Sequence, residues 1–360
     1  MGLNELSGVL WRERQLLELL LFKLEEEQLI LTSGRTQWLG HATREVESVL
    51  DQIRKRGFEP AIWVAPFIAE EKSHLFTQHP DWFMKDAGGQ PLASNKVTFG
   101  GWRRGPWYAL DGTHPGAREF LQSLFRTMNR EWGVTYFKLD ANFWGAMHSA
   151  KLHDPKATRV EAYRRGMEAV IEGAGRSFIL GCNHPMWPSL GLIHGSRSSG
   201  DISRRWTTIR KVAWENLHRG WQNGRLWWND PDAVVLMGAL PENEFLFHAA
   251  ATYATGGMLL SGDDLTQISP ERKALLEKLR PTGQAARFDT EFRSGRMALP
   301  GREILLALNW EDAPDGVEFD LGRGMKLRDV FSGEDLGTHK GRWRTDLKGR
   351  SARVVEAKPD

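Results

Sequence analysis

Six short apolar runs, five of them ending on polar groups, constrain this chain more than any other feature. They lie at 61–66, 134–140, 177–183, 192–197, 226–229 and 257–261, with helical patterns between several of them, for example 116–132 and 158–173. Strands that alternate with helices predict βαβ units and a parallel sheet, so the middle of the chain reads as a barrel or a doubly wound α/β fold. The run ends are "KLDAN", "GCNHP", "SRSSGD", "WWNDPD" and "SGDD". In an eight-stranded β/α barrel, the C-terminal ends of the strands carry the active site. Helix N-caps account for one or two of these aspartates. They do not account for polar groups at five strand ends.

The flanking regions have other textures. No Gly or Pro interrupts 9–33, a stretch rich in Leu and Glu, and a second helical pattern follows a short break. This predicts a helical hairpin over 1–54. From 284 onward, short strand-like runs alternate with Gly, Asp and Pro turns, which predicts a small antiparallel β-sandwich. The expected organisation is therefore 1–54 helical hairpin, 55–283 α/β catalytic domain and 284–360 β-sandwich domain.

Composition excludes some function classes. The formal net charge is +2, from 48 basic and 46 acidic residues. That balance argues against nucleic acid and anionic membrane as partners. The single cysteine, Cys182, cannot form an internal disulfide, and no Cys/His cluster has zinc spacing, so neither a metal nor another cofactor is expected. Glu5, Arg12, Glu13 and Arg14 interrupt any signal-peptide core, and 16–24 is too short to cross a bilayer. A cytoplasmic location is expected. The chain has 16 Trp against 4 Tyr. Indoles stack on sugar rings, and they also fill cores. Trp63, Trp102, Trp107, Trp144, Trp187 and Trp206 lie in or beside the polar loops, which favours a sugar pocket.

Two carboxylates stand out. Asp140 follows Lys138, a cation that favours an ionised neighbour. Asp201 sits in a Gly-Ser loop near Arg197, Arg204 and Arg205. One ionised and one protonated carboxyl are the minimum set for cleaving a glycosidic bond. Asp230, Asp232, Asp263 and Asp264 read as loop-shaping groups. Cys182, on the sequence alone, reads as an inert core thiol.

The motifs "AIWVAPFIAEEKSHLFTQHPDWFMKD", "WYALDGTHPGAREFL", "FKLDAN", "LGCNHPMWPSLGL", "SRSSGDISRRW" and "WWNDPDAVVL" together resemble bacterial α-galactosidases of glycoside hydrolase family 36 over about 45–360. The resemblance implies a (β/α)8 barrel and a retaining, double-displacement mechanism on α-galactoside oligosaccharides. It implies Asp140 as nucleophile and Asp201 as acid/base. It also implies substrate-binding roles for Trp63, Lys138, Cys182, Asn183, Arg197 and Trp206, and a homo-oligomer.

The chain departs from that family's pattern before Trp63, where barrel strands one and two and their D-D-G-W motif find no counterpart. The expected fold is thus a (β/α)8 barrel lacking its first two strands. Residues 1–54 instead resemble an actinobacterial helical segment related to the flagellar export chaperone, through "LWRERQLLELLLFKLEEEQLILTSGRTQWL" and "ATREVESVLDQIR". Four readings follow: an α-galactosidase, an α-N-acetylgalactosaminidase on the same frame, an inactive remnant, or a helical partner-binding protein.

Overall fold

A computed structural model describes residues 39–97, 105–264 and 266–360, which divide into two compact units, Met1–Gly195 and Ser196–Asp360. The first hairpin helix predicted from 9–33 lies outside the described residues. The second is present as α1 (Leu39–Lys55).

In the first unit, α1 leads into β1 (Ala61–Val64). Then come β2 (Ile68–Glu70), α2 (His74–Gln78), β3 (Trp107–Ala109), α3 (Pro115–Arg130), β4 (Tyr136–Leu139), α4 (Arg159–Ala174) and β5 (Phe178–Gly181). Strands β1, β4 and β5 are parallel, with Trp63 opposite Lys138 and Lys138 opposite Leu180. The two faces of β4 differ, as a pleated strand requires. Phe137 and Leu139 are buried, and Phe137 packs on Phe125 of α3 at 5.0 Å. Tyr136 and Lys138 point to the other face, where Tyr136 stacks on Phe178.

The helices follow from their sequences. Ala117, Leu121, Phe125 and Met128 form the buried stripe of α3 at four- and three-residue steps. A capping box of Thr158 and Glu161 starts α4. Helix α4 lies close on α3: a Cβ at Gly173 would stand 2.3 Å from the Gln122 carbonyl oxygen, so only glycine fits there. Strands β2 and β3 pair antiparallel across the loops after β1, a hairpin that the sequence pattern does not predict.

The second unit carries β6 (Gly195–Arg197), α5 (Trp206–Arg219), β7 (Trp228–Asp230), β8 (Ala233–Val234), α6 (Glu242–Ala254), β9 (Leu260–Ser261) and α7 (Pro270–Lys278). β8 and β9 are parallel. A C-terminal antiparallel β domain follows. Its larger sheet contains β10 (Arg287–Phe288), β11 (Ser294–Leu299) and β12 (Arg302–Asn309). A smaller sheet pairs β13 (Asp315–Asp320) with β16 (Arg342–Leu347). The larger sheet is completed by β14 (Met325–Asp329), β15 (Asp335–His339) and β17 (Ser351–Pro359). Leu305, Leu327 and Val355 of one sheet meet Val317, Phe319 and Trp343 of the other in one apolar cluster, which gives the expected two-layer sandwich. The other face of the larger sheet packs on the helices, with Ile304, Leu306 and Val354 against Phe247, Ala250 and Ala254 of α6.

Each of the six predicted apolar runs overlaps an observed strand. The chain therefore has an α/β fold with parallel strands, followed by an antiparallel β domain.

Candidate active site

Asp140 is the residue immediately after β4, and it is 9% exposed. Its backbone N–H continues the ladder by donating to the Val64 carbonyl at 2.9 Å. Its carboxylate accepts three hydrogen bonds. Oδ1 takes the Ala141 N–H at 2.7 Å and the Asn183 amide at 3.0 Å, while Oδ2 takes Trp63 Nε1 at 3.1 Å. Three strands thus supply one carboxylate environment: Trp63 from β1, Asp140 after β4 and Asn183 after β5. Donors on both oxygens fix the orientation of the group.

Cross-links hold these strand ends together. Cys182 N–H donates to the Leu139 carbonyl (2.7 Å), and Phe143 N–H donates to that of Asn183 (2.8 Å). The Asn142 amide bridges the carbonyls of Leu139 and Cys182. Cys182 itself is buried. Lys138 lies two residues before Asp140 and pairs with Trp63 across the sheet. Trp63 keeps about half of its surface exposed and Trp187 more than half, so both indoles can meet a ligand.

The tryptophan expectation needs correction at two places. Trp107 and Trp144 are 2% and 1% exposed and meet edge-to-face at 5.3 Å. They are core, because burying an indole stabilises more than leaving it at the surface. Trp102 lies outside the described residues.

In the second unit, Arg197 at the end of β6 is the organising cation. Its side chain is 4% exposed, whereas that of Asp201 is 95% exposed. Arg197 Nη2 donates to Asp201 Oδ1 at 2.9 Å and forms an ion pair with Asp232. Asp232 also accepts the Ile202 N–H at 2.7 Å, which ties the loop carrying Asp201 to the loop after β7. Arg204 extends the same brace, donating to the Met237 carbonyl and to Asp263. Asp264 shapes its own loop through Thr266 and Gln267. Trp206 does not join the Arg197 cluster among the described contacts. It begins α5 with its ring edge-on to Phe247 and Arg350 above it.

The structure therefore brings Trp63, Asp140 and Asn183 together in one unit, with Lys138 and Cys182 in the adjoining strand positions. It brings Arg197 and Asp201 together in the other. Sequence reasoning missed the pairing of Asp232 with Arg197. The signal available was an acid in a strand-end loop, which does not reveal a partner 35 positions away.

The chain is similar to several known proteins. An α-galactosidase from Thermus thermophilus, solved with stachyose, is 29% identical with a TM-score of 0.56 over 65% of this chain and 52% of its own. A curated "A type blood alpha-D-galactosamine galactosaminidase" from Flavonifractor plautii is 31% identical over 144 residues, which are 37% of this chain and 13% of the relative. A β-L-arabinopyranosidase of glycoside hydrolase family 27 from Geobacillus stearothermophilus shares the fold, at TM-score 0.63 and 17% identity over 87% of this chain and 77% of its own. The chain is thus similar to glycoside hydrolases that include an α-galactosidase and a galactosaminidase. It spans about half the length of the Thermus enzyme. The FlgN protein family matches residues 1–59.

Proposed function

We propose that the chain is a retaining glycoside hydrolase that removes terminal α-linked galactose. The observation that supports this best is the Asp140 carboxylate, held by three donors at the C-terminal end of a parallel strand. In this reading Asp140 attacks the anomeric carbon while Asp201 gives its proton to the leaving oxygen. Water then enters with Asp201 as base and releases the sugar. Lys138 binds ring hydroxyls, and Trp63 offers its exposed indole to a sugar face. Arg197 holds Asp201. We place the chain in family 36 on its K-x-D and R-x-x-x-D motifs, with the parallel strands as strands three to eight of a (β/α)8 barrel. Retention requires the two carboxyls about 5–5.5 Å apart.

The deciding experiment is release of p-nitrophenol from its α-galactoside by the purified chain, beside Asp140→Asn and Asp201→Asn, with the first anomer identified by NMR. Turnover that survives Asp140→Asn, or a first product of inverted configuration, refutes the assignment. The likeness to the Flavonifractor enzyme favours a second substrate, α-linked N-acetylgalactosamine, and p-nitrophenyl N-acetyl-α-galactosaminide in the same assay separates the two. The FlgN match supports a partner-binding role for the N-terminal segment. Binding of flagellar hook-associated proteins by the full chain, lost on deletion of 1–54, would support it, and binding that persists without that segment rejects it.

A further inference from the structure

Next along the chain from Asn183 lies a buried polar cluster that the chemistry above does not use. Ser189 Oγ has no exposure and sits at its centre. It donates to the Pro185 carbonyl at 2.7 Å. Tyr163 Oη lies 2.7 Å from it and His184 Nδ1 lies 2.9 Å from it. A serine hydroxyl has one proton. With that proton on Pro185, both Tyr163 and His184 donate to Ser189. His184 therefore carries its proton on Nδ1, the tautomer this contact selects.

The cluster is closely packed. Tyr163 is wholly buried in α4 and packs on Phe67 at 5.6 Å. The His184 ring lies so close to β5 that a Cβ at Gly181 would stand 3.0 Å from its Cδ2. Burial holds the His184 pKa down to about 4, so the ring is neutral near neutral pH.

His184 directly follows Asn183, the residue whose amide reaches Asp140. Asn183 has φ +47°, a left-handed conformation uncommon outside glycine, which asparagine tolerates and which the residues on either side hold in place. On one side the neighbour is Cys182, held by the ladder. On the other it is His184, held by Ser189.

We propose that His184 is a positioning residue, gripped by Ser189 and Tyr163, that fixes the turn at Asn183 and so aims the Asn183 amide at the Asp140 carboxylate. The inference rests on Asp140 being the nucleophile, but its geometric content does not depend on turnover. A misaimed carboxylate binds substrate as before and attacks more slowly. The effect should therefore fall on kcat and spare KM.

The test uses the full chain and the variants His184→Ala, His184→Asn, Ser189→Ala, Tyr163→Phe and Asn183→Ala. Asparagine places an amide nitrogen where Nδ1 stood and keeps the donor to Ser189. His184→Ala should lower kcat about tenfold or more with KM nearly unchanged, about the cost of losing the charged hydrogen bond from Asn183 to Asp140, and His184→Asn should recover most of it. The chain's single thiol gives a second readout. Cys182 is 6% exposed and precedes the turn, so its rate of reaction with a disulfide reagent reports how tightly the segment is held. His184→Ala and Ser189→Ala should raise that rate about tenfold or more, Tyr163→Phe less, and Asn183→Ala little. Unchanged kcat in His184→Ala overturns the proposal, as does equal damage in His184→Asn. If the unsubstituted chain shows no turnover, the glycosidase reading fails while the thiol rates still decide this one. Equal protection of Cys182 in all variants sinks it.

Discussion

Replacing Asn183 separates what its side chain does from what its backbone costs. The amide supplies one of three hydrogen bonds to the Asp140 carboxylate, at 3.0 Å. The Ala141 N–H at 2.7 Å and Trp63 Nε1 at 3.1 Å stay in place. A hydrogen bond to a charged group contributes about 1.5–3 kcal/mol. If it acts in the transition state for attack, its loss slows kcat/KM by roughly 10- to 150-fold. The backbone term is distinct. Asn183 sits at φ +47°, which asparagine tolerates, glycine adopts freely and alanine resists by about 1 kcal/mol. Asn183→Gly and Asn183→Ala should therefore lose the same activity, and the alanine variant should lose more stability than the glycine variant. Steady-state rates on the p-nitrophenyl α-galactoside, read beside urea midpoints, test both parts. Asn183→Gly retaining activity within about threefold would refute the role of the amide, and equal midpoints would refute the strain argument.

Two further outcomes follow from the buried groups. His184 and His248 are held neutral by burial, each with its pKa lowered to about 4 from 6.5. The unfolded chain takes up these protons first as pH falls, so their stability contribution is complete above about pH 6.5 and is lost between 6.5 and 4, on the order of 3 kcal/mol per histidine. Urea titrations at pH 7 and 4.5 should show that loss. His248→Gln, which keeps an acceptor for the Val235 N–H, should flatten it, and an unchanged pH slope would show that other groups dominate. Asp232→Ala leaves the buried Arg197 without one of its two carboxylate partners. Removing one member of a buried ion pair costs about 3–5 kcal/mol, so the midpoint should fall by that order, and a loss under 1 kcal/mol would mean that Asp201 or solvent takes over.

The strands were legible because each is an apolar run bounded by polar residues, and a buried strand leaves that mark on local composition. The strand-end carboxylates were legible for the same reason, since Asp and Asn at the end of a buried run have no role in packing. Contacts that join distant segments were not. Strands β2 and β3 are three residues each and 37 positions apart, too short for period-two alternation to emerge. Trp107 and Trp144 carried the same sequence signal as Trp63, and only the packing separates core from surface. The partnership of Arg197 with Asp232 and the Ser189 cluster are tertiary facts in the same sense.

Backbone strain gives an independent indication of where the chain has been shaped for chemistry. Six non-glycine residues have positive φ among the described residues, and three of them, Ala141, Asn183 and Asp232, stand at or just after strand ends beside the candidate carboxylates. Each costs on the order of 1 kcal/mol and persists only where the surroundings impose it. Ala141 is the most informative, because its methyl group cannot hydrogen-bond to ease the left-handed turn. What the turn achieves is to bring the Ala141 N–H back onto Asp140 Oδ1 at 2.7 Å. Ala141→Gly relieves the strain but loosens the unfolded chain by about 0.4–1 kcal/mol, so its net stability should change by less than about 1 kcal/mol. If the turn serves to hold the carboxylate, the glycine variant should nonetheless turn over more slowly, because the N–H is then less firmly placed. A glycine variant with full activity would make the strain at Ala141 incidental to the site, and the case for Asp140 would rest on Trp63 and Asn183.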